Sequence, residues 1–434
     1  MKRPRIDRRA LLLGATGTAL VAGCGGGGGT KPKAAKSSGP IIREQDPGTV
    51  IATEDIKGLV TRLNTALRKG DVRGMKAAIP DLEVGEWTAR LRSIRNFPLE
   101  DLGFVFEDSS DRQVNASGGP LDINANVVLT HRIKGCDSRV VVQSYSAQLS
   151  KKDKDAEVRA ESLSGPLDEN DAPWDLPGTW DVIEGDHVVL AARDHRLPLL
   201  RQYLGAIDGG AAAAMKIIAP AGGISKMSIT VAEKSSQVFG GLDMDRVGFA
   251  SRMTYIDPEV ATREGVQARK DSDAFATSRI VLRPAVFTSQ SYVRETALHE
   301  SIHGLALKWG SGPGPWIAEG LATWADSGLA AGYRRSANVG LAKAGFSSFR
   351  RRFLGFRATE NNDLFQRQDA HTVQTNYACS GAVYACIDDT EGRARTLELG
   401  RLLYAHPLVT AMEKFGEGTQ DKLFGKVEKW VQGL

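Results

Sequence analysis

Three scarcities bound what this chain can be. Beyond the apolar stretch Ala10 to Ala22, none of its 434 residues belong to a run of the roughly 20 apolar residues that a membrane-spanning helix needs, and Ala211 to Ala221 is too short. Charge of one sign is equally scarce. The formal net charge is +4, and Lys2, Arg3, Arg5, Arg8 and Arg9 set against Asp7 account for all of it, so the rest of the chain is nearly neutral. A clustered basic face is therefore missing, which argues against nucleic acid as a partner. Cysteine is rare as well. Apart from Cys24 there are only Cys136, Cys379 and Cys386, an odd set that allows at most one disulfide. Cys379 and Cys386 are seven positions apart on an expected helix, about 10 Å along its axis, too far for a bridge. These three are expected to be buried as small apolar side chains.

The amino terminus reads as a leader over residues 1–23. Five basic residues precede an apolar stretch of 13, too short to span a bilayer and right for a signal sequence. That stretch ends in Val21-Ala22-Gly23-Cys24, which resembles the bacterial lipobox and implies cleavage before a lipid-modified Cys24. Arg8-Arg9-Ala10-Leu11-Leu12 also resembles a twin-arginine signal, with Asp7 where serine or threonine is usual. Each buried methylene of an acyl chain contributes about 0.8 kcal/mol, so several chains would hold the protein on the outer face of the cell membrane. Residues 24–48, glycine-rich and then mixed Lys, Pro, Ser and Ala, have too little apolar content to pack and are expected to be a flexible tether.

The chemistry concentrates in His299-Glu300-Ser301-Ile302-His303. Residues four apart on a helix share a face, so both imidazoles reach one metal while Glu300 flanks its open side. Val293, Thr296, Ala297, Ile302, Leu305 and Ala306 mark this helix as buried on most sides, unlike a solvated surface helix. Gly310-Ser311-Gly312-Pro313-Gly314-Pro315 then breaks it, and Pro315 suits the first turn of a second helix. Glu319 lies one turn into that helix amid Trp316, Ile317, Ala318, Leu321 and Ala322, where an unpaired carboxylate would be costly. A zinc ion would neutralise it. Zinc with three protein ligands lowers the pKa of a water in its fourth position to roughly 7, and Glu300 is placed to take that water's proton. A peptide bond is the natural substrate.

The pair HExxH and Trp316-Ile317-Ala318-Glu319-Gly320-Leu321-Ala322 resembles the gluzincin metallopeptidases, particularly the peptidase MA-like domains of exported bacterial proteins, over roughly residues 185–434. The resemblance implies His299, His303 and Glu319 as zinc ligands and Glu300 as general base. Tyr377, in Asn376-Tyr377-Ala378-Cys379-Ser380, resembles the tyrosine that steadies the oxyanion in that family; a core aromatic is its other reading, and His371 is a competing candidate. Thr323, one turn after Glu319, is placed either to hydrogen-bond a ligand or simply to pack. The chain lacks the Gly-x-Met-Glu-Asn segment with which aminopeptidases of this clan hold an amino terminus, so exopeptidase action is unsupported. It also lacks a calcium loop, so no second metal is implied.

The fold class expected is α+β, with residues 49–183 and 184–434 as two domains. In the first, Ile56, Leu59, Val60, Leu63 and Leu67 show helical spacing and a second helix covers Val72 to Ile79. Strands follow near residues 101–106, 124–130 and 140–145, an order that resembles the cystatin-like cone. His131 is expected on a strand surface, Lys151 to Asp155 in a solvated turn, and Ala172 to Trp180 as a turn-rich junction. In the second domain, strands at 187–191, 226–231, 247–255 and 279–282 and a helix over Leu197 to Ile218 precede the metal helix, the order of a zincin whose carboxyl half is mainly helical. A membrane-anchored zinc peptidase acting on peptides or proteins is the leading expectation. A catalytically silent lipoprotein that binds a peptide or protein partner is the alternative.

Overall fold

The computed structural model describes residues 48–106, 114–115, 119–166, 172–233, 248–255, 258, 262, 275–310, 313–328, 332–333, 336–354, 362–366 and 368–434. The expected leader, Cys24 and the tether up to residue 47 lie outside the described residues. What is described is α+β. After a short strand, β1 (Thr49–Val50), comes α1 (Thr53–Lys69), whose Ile56, Leu59, Leu63, Ala66 and Leu67 form one buried face. Asp71 caps α2 (Val72–Ala78) by accepting from the Gly74 N–H at 3.0 Å. A third helix, α3 (Val84–Asn96), is not announced by apolar spacing, because beside Trp87, Leu91 and Ile94 it buries Arg90. That guanidinium is accommodated by the Asp175 carboxylate and the Tyr145 hydroxyl, and it lies 4.5 Å over the Trp87 ring.

These helices share a core with an antiparallel sheet in the order β2-β4-β5-β6, made of β2 (Leu99–Phe106), β4 (Leu121–Ile133), β5 (Val141–Lys151) and β6 (Arg159–Ser164); β3 (Val114–Asn115) pairs with β1. The fourth strand, β6, is additional to the three expected. Lys151 is not part of a solvated turn: it ends β5 buried, with its ammonium 2.9 Å from Asp55, and only residues 152–155 of that charged run are exposed. His131 is corrected too. It is 1 % exposed, packed edge-on against Trp174 at 5.0 Å, and burial together with the nearby Arg279 pushes its pKa down to about 3.

A second sheet has the order β10-β11-β9-β8-β7, in which β8 (Val188–Arg193), β9 (Met227–Val231) and β11 (Phe275–Leu282) run parallel. Among the described residues the outermost strands of this sheet are β7 (Trp180–Glu184) and β10 (Gly248–Thr254), each antiparallel to its neighbour. β7 occupies part of the expected junction, so the sheet starts before residue 184. Val188, Leu190, Ala192, Ile280 and Leu282 join the core around α4 (Leu197–Ile217) and α5 (Gln290–Ala306), whereas Val189, Ala191 and Val281 join the core of the first half. Cover on both faces is why β8 reads as an unbroken apolar run from Val188 to Ala192. A buried ion pair crosses the same seam, with Arg279 Nη2 2.7 Å from Asp137 Oδ2.

From α5 onward the described elements are helical: α6 (Pro315–Ser327), α7 (Asn338–Phe353), α8 (Asn362–Gln366), α9 (Ala370–Glu391), α10 (Arg393–Ala405), α11 (Leu408–Phe415) and α12 (Gln420–Gly433), with short 3-10 turns between some of them. α9 is buried through most of its length and packs against α6, α7 and α10. Close approach of α4 to α5 depends on Gly210, where a Cβ would lie 2.5 Å from the Arg294 carbonyl oxygen. Cys136, Cys379 and Cys386 are free and buried, as expected, and burial pushes the Cys379 and Cys386 thiols up to about 12. Among the described residues no helix is long and apolar enough to cross a membrane.

Candidate metal centre

α5 begins at Ser289, whose hydroxyl accepts from the Tyr292 N–H at 3.2 Å, and it runs between the second sheet, α4 and α6. Enclosure on so many sides explains its buried Val293, Ala297, Leu298, Ile302 and Leu305 and its lack of a single apolar stripe. On the side toward α6 the two imidazoles stand one turn apart, their ring centroids 4.9 Å from each other. The chain leaves α5 at Gly310 and re-enters helix at Pro315, which brings Glu319 back over them.

Glu319 Oε2 lies 3.2 Å from His299 Nε2 and 3.3 Å from His303 Nε2. Ligand atoms of these three residues all fall within 4.8 Å of one another, so the group can hold a metal ion. The hydrogen-bond pattern points the same way. His299 Nδ1 lies 2.9 Å from Asp326 Oδ2, which turns Nε2 toward the Glu319 carboxylate. A proton or a metal ion between Nε2 and that oxygen makes the approach favourable. Burial opposes charge at His299, yet the hydrogen bonds to Asp326 and Glu319 outweigh it and lift its pKa well above the ordinary value. Burial likewise works to raise Glu319, but His303 and His299 prevail and hold its carboxyl well below the usual range.

Glu300 is 5 % exposed and lies under the start of β10: a Cβ on Gly248 would come within 2.7 Å of Glu300 Oε1. Both sit in a cleft of about 730 Å³ together with the two histidines, Glu319 and Tyr377. Tyr377 is two turns into α9, which starts at Ala370, so it does not open that helix. Its hydroxyl accepts from Gln366 Nε2 at 3.2 Å, and the same amide reaches Glu319 Oε1 at 3.4 Å. His371 lies in the first turn of α9, exposed, and does not line the cleft. Thr323 packs toward α9 at Gly381 and is not the group that orients a ligand.

Sequence reasoning misses Asp326, Gln366 and Gly248. For Asp326 a signal existed: it stands seven residues after Glu319, two turns on along the same helix face. Gln366 and Gly248 lie far from the motif in sequence and carry no such signal. Tyr404, buried on α10, closes the cleft beside them, and burial with the nearby Glu319 raises its phenol. No protein-family model matches the chain, and no curated protein matches its sequence.

Proposed function

We propose that this protein is a zinc-dependent peptidase with a gluzincin-type centre, exported and held on the outer face of a bacterial membrane by a lipid on Cys24. What carries the assignment is Glu319, which arrives from a second helix and meets both histidines of the HExxH motif at 3.2 and 3.3 Å. Tetrahedral zinc with nitrogen and oxygen ligands at about 2.0–2.1 Å sets its ligand atoms roughly 3.3 Å apart, which fits the two distances found. Two imidazoles and a carboxylate are also a donor set that suits zinc over calcium or magnesium. In this reading the second sheet and helices α4 to α12 form a zincin-type half, residues 184–434, and the helices and antiparallel sheet of residues 49–183 form a cystatin-like half.

Bound zinc supplies a Lewis acid that acidifies water and polarises a carbonyl. The chain's own residues do the rest. Asp326 holds His299 in the tautomer that offers Nε2. Glu300 takes the proton of the attacking water and returns it to the departing amine, and its burial under Gly248 keeps it from bulk solvent. Tyr377, whose oxygen accepts from Gln366, turns its own proton toward the carbonyl oxygen as charge develops there. Among the described residues β10 is an edge strand along the cleft, able to pair with an extended peptide.

The test is to incubate the zinc-loaded mature chain, and its Glu300→Gln variant, with a mixed peptide library and read products by mass spectrometry. Cleavage by the first and not the second supports the peptidase. Equal product yield from both removes it and leaves the partner-binding alternative, in which the fold holds a peptide without cutting it.

A further inference from the structure

Of the phenols that line the metal cleft, the proposed reaction uses Tyr377 alone. That residue stands beside the first histidine of the motif, its ring 6.3 Å from that of His299. Tyr404 stands toward the other end, where α5 stops. There α10 is pressed against the chain leaving α5: a Cβ on Gly310 would have no room beside the Tyr404 carbonyl, and the Tyr404 ring meets that of Trp309 edge-on at 6.0 Å. Leu307, one turn beyond His303, lines the same cleft with Pro313 and Ala318, all three half-buried.

The Tyr404 ring is fixed, but its oxygen is unused. The residue is 6 % exposed, and its hydroxyl pairs with no group among the described residues. Two buried tyrosines of the same half differ: Tyr384 donates to the Ile317 carbonyl at 3.0 Å, and Tyr333 to the Ala378 carbonyl at 2.5 Å. Nor is the Tyr404 oxygen sealed from water as the unpartnered indole nitrogen of Trp316 is. The small exposed part of the residue therefore includes its polar tip, and the cleft is the space to which it opens. Burial, and after it the nearby Glu319, push the phenol pKa up, so the group stays an O–H donor.

A rigid donor that lacks a protein acceptor and opens into a cleft is placed to meet a ligand. The half-buried side chains beside it, Leu307, Pro313 and Ala318, are apolar and offer a charged group nothing in return for its lost water. One peptide unit satisfies both features, with a carbonyl for the hydroxyl and an apolar side chain for the wall. We propose that Tyr404 is a substrate-binding residue: its hydroxyl donates to a backbone carbonyl of the bound peptide on the His303 side of the metal position, and Leu307, Pro313 and Ala318 receive an apolar side chain of that peptide. The assignment rests on the peptidase reading for the presence of a peptide in the cleft. It differs from the role of Tyr377, which acts as charge develops on the carbonyl under attack.

The experiment compares two probes by calorimetry on the zinc-loaded mature chain and on its Tyr404→Phe variant: a succinyl hydroxamate bearing an isobutyl side chain and an alanine amide, and acetohydroxamate, which is the zinc-binding head alone. Tyr404→Phe is expected to weaken the peptide-like probe about three- to tenfold, the loss of one hydrogen bond, and to leave acetohydroxamate unchanged. Melting temperature and zinc content stay at the parent's values, because the hydroxyl removed has no partner in the protein. The assignment is overturned if the peptide-like probe binds no better than acetohydroxamate, if the variant weakens both probes alike or neither, or if it lowers the melting temperature, which would give the hydroxyl a structural role. Failure of the peptidase reading shows separately, as a peptide library left uncut. With the library uncut and the probes still told apart, Tyr404 remains a peptide contact in a cleft that binds without cutting; with the library cut and the probes not told apart, the peptidase stands and Tyr404 is not a contact.

Discussion

Asp326 Oδ2 accepts a hydrogen bond from His299 Nδ1 at 2.9 Å, so an acid two helical turns beyond Glu319 decides which nitrogen of the first histidine faces the metal position. The ring, held from behind, keeps its Nε2 turned toward the Glu319 carboxylate without a search among rotamers.

Removing that support has a measurable cost. Asp326→Ala is expected to weaken zinc affinity by roughly 10–100-fold, the usual loss when such an outer partner is deleted. Competition against a chelator with a known zinc constant reads this directly. An affinity equal to the parent's would mean that Glu319 and α5 packing alone fix the ring.

Gly248 tests the placement of Glu300, the proposed base. A methyl at this position meets Glu300 Oε1 at 2.7 Å and Cδ at 2.8 Å, and the far end of a glutamate gives way more cheaply than backbone. Gly248→Ala therefore moves Glu300 while the fold and the metal ligands remain. Peptide turnover is expected to fall on the order of a hundredfold, as misplacing a reacting group by about 1 Å can do. The melting temperature and zinc content stay near the parent's. Loss of zinc along with activity would show that the glycine serves the metal helix as a whole.

The contrast between Glu319 and Gln366 shows what the sequence makes legible. Glu319 follows the motif across one Gly-Pro break, and its surroundings of Trp316, Ile317 and Leu321 make a lone carboxylate implausible, so local patterns suffice. Gln366 meets the same carboxylate from a separate helix 47 residues later, a contact created only by tertiary packing. Strands β8, β9 and β11 were legible because both their faces are covered, and α1 because only one of its faces is. Helix α3 was not, since its buried Arg90 breaks the apolar period and is explained by distant partners, Tyr145 and Asp175, the latter 85 positions away. In β4, alternation holds from Leu121 to Asn126 and ends at Val127, beyond which both sides of the strand are covered. That change of environment put His131 inside against the surface expectation.

The Asp137–Arg279 pair at the seam between the two sheets is buried on both sides. Breaking such a pair from one end leaves an uncompensated charge and costs about 3–5 kcal/mol, whereas replacing both ends with apolar groups of similar volume is often neutral. Arg279→Met is expected to lower unfolding stability by that amount, and Asp137→Leu combined with Arg279→Met to recover most of it. Urea denaturation of the single and double variants measures the difference. Additive losses would instead assign the stability to the other contacts of each residue, such as the Ile133 N–H that donates to Asp137 at 2.7 Å.

His131 gives the structure an acid limit. Buried against Trp174 and near Arg279, it has its pKa pushed down to about 3, while in the unfolded chain an imidazole titrates near its ordinary value of about 6.5. Above that ordinary value both states hold a neutral ring, and the group contributes nothing to the pH dependence. Between the two values the unfolded chain binds a proton that the folded chain does not, so stability falls as pH falls, by roughly 1.4 kcal/mol per pH unit. Below the folded value the loss is complete. His131→Phe keeps an aromatic edge on Trp174 and removes the titration. Its urea-unfolding free energy should therefore decline less between pH 7.5 and pH 5 than the parent's, and parallel declines would show that other groups set the acid sensitivity.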